Sequence, residues 1–369
     1  MSEQEDFTND STDGSTSTEQ AASSFEPDKS EGVLYLGIDL GTSRTSVSAS
    51  NGLRETVASF VGYPKDAVSR KLLKADVLFG SDAVKNRLAL DFYRPLEHGV
   101  LKGSDDGSEL SDLKAATDLI AEIIRRAKPR KDELIYAVIG APAQASINNK
   151  SAIIDAAREV VDSVMLCSEP FSVAYGLDML DDVLVIDIGA GTTDLCRMHG
   201  TMPEESDQIT ITHAGDWIDN RFSELLREEF PEAQFTTLMA KSIKERFASV
   251  AENIDKVVVD LPVKGKPTPF DITDCLRKAA QGIVEPIVEG LSELIGTFDP
   301  EFQEKLKGRV LLAGGGGQIR GLDSAIERAM TERLGMGKVM RCEEPMYGGA
   351  NGALKIAHDM PAEFWEKLK

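Results

Sequence analysis

The sequence predicts an α/β protein made of two related domains that face each other across a shared cleft. Two observations carry that expectation. An apolar run entering a turn rich in glycine and small hydroxyls occurs twice, with Asp39 and Asp187 at matching positions. Between the copies lies a strand–helix–strand–helix series whose second strand runs into a carboxylate, Glu169.

Taken in order, residues 1–32 come first and are mostly Ser, Thr, Asp, Glu, Gln and Gly, with nine acids and one lysine. Such a segment buries too little apolar surface to offset its ordering entropy, so a disordered acidic tail is expected. Both an inert solubilising extension and a docking arm fit; the lack of an amphipathic helical pattern favours the first.

At Val33 the pattern changes to Val33-Leu34-Tyr35-Leu36-Gly37-Ile38-Asp39-Leu40-Gly41-Thr42-Ser43, followed by an alternating run. The same shape returns as Val183-Leu184-Val185-Ile186-Asp187-Ile188-Gly189-Ala190-Gly191-Thr192-Thr193-Asp194. Repeated strand–turn–strand units point to related domains that each present one hairpin to a common cleft. Glycines let backbone N–H groups approach an oxyanion closely, and the hydroxyls add donors, so each hairpin is suited to phosphate. Each Asp stands where it could hold Mg²⁺ or its waters. An ordinary hairpin with a structural Asp explains one copy; two matched copies favour phosphate binding.

Between them, Leu134–Gly140 reads as a buried strand and Asn149–Val164 as a helix, with apolar residues at 153, 154, 157, 160, 161 and 164. The short apolar segment Val164–Cys167 leads to Ser168-Glu169-Pro170, and Pro170 suits the first turn of a further helix. Glu169 therefore sits at the sheet edge where open α/β proteins bind ligands. It could orient a water for attack on phosphorus, or simply favour the helix start through the macrodipole. Later, Thr273–Leu294 reads as one buried helix kinked at Pro286. Trp217 and Trp365 are expected to pack rather than bind.

Composition narrows the function classes. With 41 Lys+Arg against 62 Asp+Glu the net charge is −21, which argues against nucleic acid or an anionic membrane as partner. The four cysteines form no CxxC pair, and the histidines at 98, 199, 213 and 358 offer no close ligand pair, so neither a disulfide framework nor a His or Cys metal site is expected. No apolar run reaches membrane-spanning length, no signal pattern opens the chain, and a cytoplasmic location is expected.

Together these residues resemble the actin, heat-shock chaperone and sugar kinase superfamily. Ile38-Asp39-Leu40-Gly41-Thr42 resembles its first phosphate motif and Ile186–Asp194 its second. Ser168-Glu169-Pro170-Phe171 with Ala174-Tyr175-Gly176-Leu177 is similar to the first connecting segment, whose acid positions the hydrolytic water in bacterial actins. Gly215-Asp216-Trp217-Ile218-Asp219 resembles a turn near the nucleotide, and Ser242–Arg246 the segment whose Lys and Glu meet ribose and adenine. Val310–Gly316 through Leu322 resembles the adenosine motif, and Gly348–Leu354 the second connecting segment. Phe60–Asp66, Arg70–Leu73, Ala137–Gly140 with Pro142, and Pro361–Trp365 resemble the magnetosome-associated bacterial actins, although the acidic start is longer than theirs. With only Lys355–Lys369 after the last motif, a chaperone's substrate domain is not expected, and the short Asp39–Asp187 spacing disfavours a sugar kinase.

The resemblance implies an actin-like fold, two lobes with a central mixed sheet flanked by helices and a nucleotide cleft between them. Lobe I would span 33–180, with a small insert at about 61–99, completed by 345–369. Lobe II would span 181–344, with an insert at about 228–270. It implies ATP and Mg²⁺ as cofactors, with Asp39 and Asp187 on metal and phosphates and Glu169 on the water. Gly41, Thr42, Ser43, Gly189, Gly191, Thr192 and Thr193 would clamp phosphate. Gly215, Asp216, Asp219, Lys244, Glu245, Gly314, Gly315 and Gly316 would line the rest of the nucleotide site. The implied activity is ATP hydrolysis coupled to head-to-tail self-assembly into cytoskeletal filaments that align magnetosomes. Related actin subunits and magnetosome proteins would be further partners, with no nucleic acid and no membrane insertion. A non-polymerising ATPase or small-molecule kinase on the same fold is the alternative.

Overall fold

Two five-stranded sheets carry the molecule. In the computed structural model, which describes residues 32–102, 110–252 and 255–368, the first sheet runs in the order Ser163–Ser168, Leu134–Ala141, Val33–Leu40, Arg44–Ala49, Arg54–Ala58. The second runs Val339–Arg341, Val310–Ala313, Val183–Ile188, Thr193–Met198, Gln208–Ile211. Both share one topology. The central strand pairs antiparallel with the strand that follows it and parallel with a later one. The repeat visible in the hairpins therefore extends to both whole sheets. Of the acidic tail expected over residues 1–32, residues 1–31 lie outside the described residues.

The central strands are continuous apolar runs because both faces are covered. Leu34, Leu36 and Ile38 pack with Leu119, Ile120 and Ile123 of the helix Leu110–Arg126 in one core. Leu184, Ile186 and Ile188 pack with Ile287 and Leu291 in another. A third core lies between the sheets, where Tyr136 and Val138 meet Val185 and Leu311 together with Phe171, Ala353 and Trp365. Trp365 is fully buried, stacks on Tyr136 at 5.0 Å between ring centroids, and donates its indole N–H to the Ala357 carbonyl at 3.3 Å. Trp217 lies against the second core, its ring over Gly282.

Two helices differ from the sequence reading. The first spans Ile147–Arg158, with Ser146 as N-cap accepting from the Asn149 N–H at 3.2 Å. Val160, Val161 and Val164 lie beyond it, because the chain must turn there to enter the strand Ser163–Ser168. The expected kinked helix over 273–294 is two helices, Thr273–Gln281 and Val284–Gly296. The Pro286 ring would collide with the carbonyl four residues earlier, at Gly282, so the chain leaves helical hydrogen bonding there and restarts with proline in the first turn.

The segments expected as inserts fold as small units. A three-stranded sheet of Leu78–Phe79, Val61–Pro64 and Leu90–Tyr93 precedes a tight hairpin, Leu96–Glu97 with Val100–Leu101. In the second half the helix Thr237–Phe247 accompanies the hairpin Val258–Val263/Lys266–Asp271. Among the described residues no helix is long and apolar enough to cross a membrane, and the four cysteines are free and buried.

Candidate functional site

The two hairpin turns face each other across a cavity of about 290 Å³. Asp39 and Asp187 occupy equivalent registers, next to last on their central strands, opposite Ser46 and Asp194. Gly41, Thr42 and Ser43 line the cavity from one side, and Gly189, Gly191 and Thr192 from the other. Glu169 reaches it from below as the first residue of the helix Glu169–Gly176, with Pro170 in the first turn.

A turn wedged between the hairpins fixes their separation. The Gly99 N–H donates to the Thr42 hydroxyl at 2.7 Å, and His98 Nδ1 lies 3.1 Å from the Gly191 carbonyl. Arg94, from the same insert, donates to the Thr42 carbonyl at 3.1 Å and pairs with Asp216 at 2.6 Å. Asp216 is the second residue of the helix Gly215–Glu229, whose first two N–H groups are taken by the Gly189 and Ala190 carbonyls of the second hairpin. The insert is thereby linked to both hairpins.

Four acids crowd this floor. Burial raises Asp39 to about 6, and burial with the charges of Asp39 and Asp194 raises Asp187 to about 8. Glu169 is held well above the usual carboxylate range by burial and by the charges of Asp194, Asp39 and Asp187. Asp194 is also raised by burial, although it accepts from Thr210 Oγ1 at 2.5 Å and from the Ala143 N–H at 3.0 Å and is held further by the Thr192 hydroxyl. The donor set fits a hard divalent cation: carboxylates and hydroxyls, with no thiolate or imidazole lining the cavity. Among the described residues no three potential protein ligands converge, and Mg²⁺ needs none, since it keeps water and takes one or two carboxylates plus phosphate oxygens. Room beside Asp187 is kept by Gly314, at φ +75°, where a Cβ would stand 2.3 Å from the carboxylate oxygen.

Gly314, Gly315, Gly316, Gly215, Lys244 and Glu245 also line the cavity. Three sequence-assigned residues stand behind the lining instead. Asp219 is buried and holds Lys244 at 2.9 Å, while Lys244 also donates to the Gly215 carbonyl at 2.8 Å. Thr193 donates to the His213 carbonyl at 2.8 Å, and Asp216 faces Arg94. They position the lining rather than form it. The cavity also contains Arg44, Ser46, Gly99, Lys241, Gln318 and Met346, to which the sequence reading gave no role. Lys241 carried a faint signal, one helical turn before Lys244 on the same face.

Comparison with known proteins agrees with this architecture. The MreB/Mbl protein family model matches residues 34–363. The actin-like protein MamK of Paramagnetospirillum magneticum is 37% identical over 335 residues, covering 91% of this chain and 95% of that protein. A structure described as a MamK double helical filament superposes with TM-score 0.86 at 37% identity, over 89% of this chain and all of the other. A non-polymerising MamK mutant bound to AMPPNP superposes with TM-score 0.67 at 37% identity, over the same shares. The chain has the actin-like fold and belongs to the MreB/Mbl family, among its MamK actin-like proteins.

Proposed function

We propose that this chain binds ATP with Mg²⁺ in the cleft, polymerises head to tail with copies of itself, and hydrolyses ATP to drive filament turnover. The observation that carries the reading is the pair of matched hairpins, each with a buried Asp beside a Gly-rich turn, closing on one cavity over Glu169. Family membership and the filament and AMPPNP-bound relatives support it. The two lobes are 33–180 with 345–369, and 181–344. The filaments lie in the cytoplasm alongside magnetosomes and hold them in a chain, with magnetosome proteins and related actin subunits as further partners.

Asp39 and Asp187 hold the metal, which when bound supplies positive charge to the phosphates. Gly41, Thr42, Ser43, Gly189, Gly191 and Thr192 offer backbone and hydroxyl donors to phosphate oxygens, and Thr193 braces the second turn. Lys244, Glu245 and Gly314–Gly316 face the nucleoside, with Gly215, Asp216 and Asp219 fixing Lys244 and the second hairpin. Glu169 accepts a hydrogen bond from the attacking water and takes its proton, for which a raised carboxyl pKa is an asset near neutral pH. Closure of two lobes on one ligand links nucleotide state to the subunit's outer surfaces.

High-speed pelleting with Mg²⁺ and ATP, with ADP, or without nucleotide, while following phosphate release, tests this. Pelleting that appears with ATP and fades as phosphate accumulates is expected. Phosphate release without a pellet would replace the filament reading with a soluble ATPase or kinase.

A further inference from the structure

The charged groups around Lys241 include, with it, one cation more than acids to pair with. Asp216 is engaged by Arg94 at 2.6 Å, Asp219 by Lys244 at 2.9 Å, and Glu245 by Arg44 at 3.4 Å. Lys241 lies among these groups, lines the cavity, and among the described residues donates a hydrogen bond only to the Ser43 hydroxyl, at 2.5 Å. Among the described residues no carboxylate stands within ion-pair distance of it. A half-buried ammonium whose nearby acids, Asp216, Glu245 and Asp219, are each paired with another cation is well placed to receive an anion. Its direction says where that anion sits. On the helix Thr237–Phe247, Lys244 turns to Asp219 and the Gly215 carbonyl and Glu245 to Arg44, whereas Lys241 reaches across the cleft to the hydroxyl of Ser43 in the first hairpin.

We propose that Lys241 binds the phosphate chain of the nucleotide, exchanging its contact with Ser43 in the first hairpin for a phosphate oxygen. This rests on the reading of the cleft as a nucleotide site. The ligand class is a nucleoside di- or triphosphate; a nucleoside alone lacks the group that Lys241 recognises. In the free protein burial and the nearby Arg94 charge lower the Lys241 pKa, more than the charges of Asp216, Glu245 and Asp219 raise it, and a bound phosphate adds to the raising side.

Calorimetric titration of the full chain with Mg-ATP, Mg-ADP and adenosine tests the assignment. Lys241→Met should bind both nucleotides about tenfold more weakly, as expected for a lost charge-assisted hydrogen bond, and adenosine as tightly as wild type. Lys241→Arg should keep most of the nucleotide affinity. Unchanged ATP affinity in Lys241→Met, an equal loss for adenosine, or an equal loss in Lys241→Arg would each overturn the proposal. If thermal melting shows that the Met variant is unfolded, Lys241→Gln carries the same comparison. Failure of the wild type to bind ATP would instead overturn the nucleotide reading itself.

Discussion

Gly352 meets the backbone of Ser172 so closely that a Cβ on it would stand 1.7 Å from the Ser172 carbonyl oxygen. The contact seats the helix Gly348–Asp359 against Glu169–Gly176, directly beneath the acids of the cleft. Because the obstacle is backbone, no rotamer change relieves it. Gly352→Ala should destabilise the protein by about 3 kcal/mol, at the upper end of overpacking costs, and weaken ATP binding with it. Denaturant titration measures the first effect; a loss under about 1 kcal/mol would mean that the helices separate easily.

Glu169→Gln keeps the shape of the side chain and removes its ability to take a proton. ATP binding and assembly should persist, while phosphate release falls by about 10²- to 10⁴-fold and filaments stop turning over. Wild-type phosphate release from this variant would remove Glu169 from the chemistry.

The raised carboxyls make the metal- and nucleotide-free protein pH-sensitive. Asp39 and Asp187 rise from an ordinary 3.8 to about 6 and about 8, so the folded state holds protons that the unfolded state has released. Their contribution to stability is complete below pH 3.8 and is lost as pH rises through 6 and then 8. With a chelator present, melting temperature should fall between pH 5 and 8. Asp187→Asn should flatten the upper part of that slope, stabilise the apo protein at pH 8 by about 1 kcal/mol or more, and abolish Mg²⁺-dependent hydrolysis. A melting temperature that rises over this range would contradict the assignment.

A net charge of −21 makes subunits repel one another at long range. Salt at physiological strength shortens that repulsion to about 8 Å, so assembly followed by light scattering should improve from low to physiological salt. A flat or inverse response would mean that attractive ion pairs dominate the contacts between subunits.

Sequence alone determined the hairpins at Asp39 and Asp187, the strand leading to Glu169 and the glycine run at Gly314, because each is a local pattern of apolar residues, turn formers and one acid. Neighbours in the chain are neighbours in space there, so composition over a dozen residues suffices. Tertiary structure decided the rest. Arg94 with Asp216, Lys241 with Ser43 and His98 with Gly191 join segments far apart in the chain, and nothing near either partner marks the other. Asp219 and Thr193 have the residue types of ligands, yet packing turned them to Lys244 and His213. The break at Gly282 shows the same limit within one element. Apolar periodicity runs through it unbroken, and only the proline's clash with a carbonyl one turn back divides the helix.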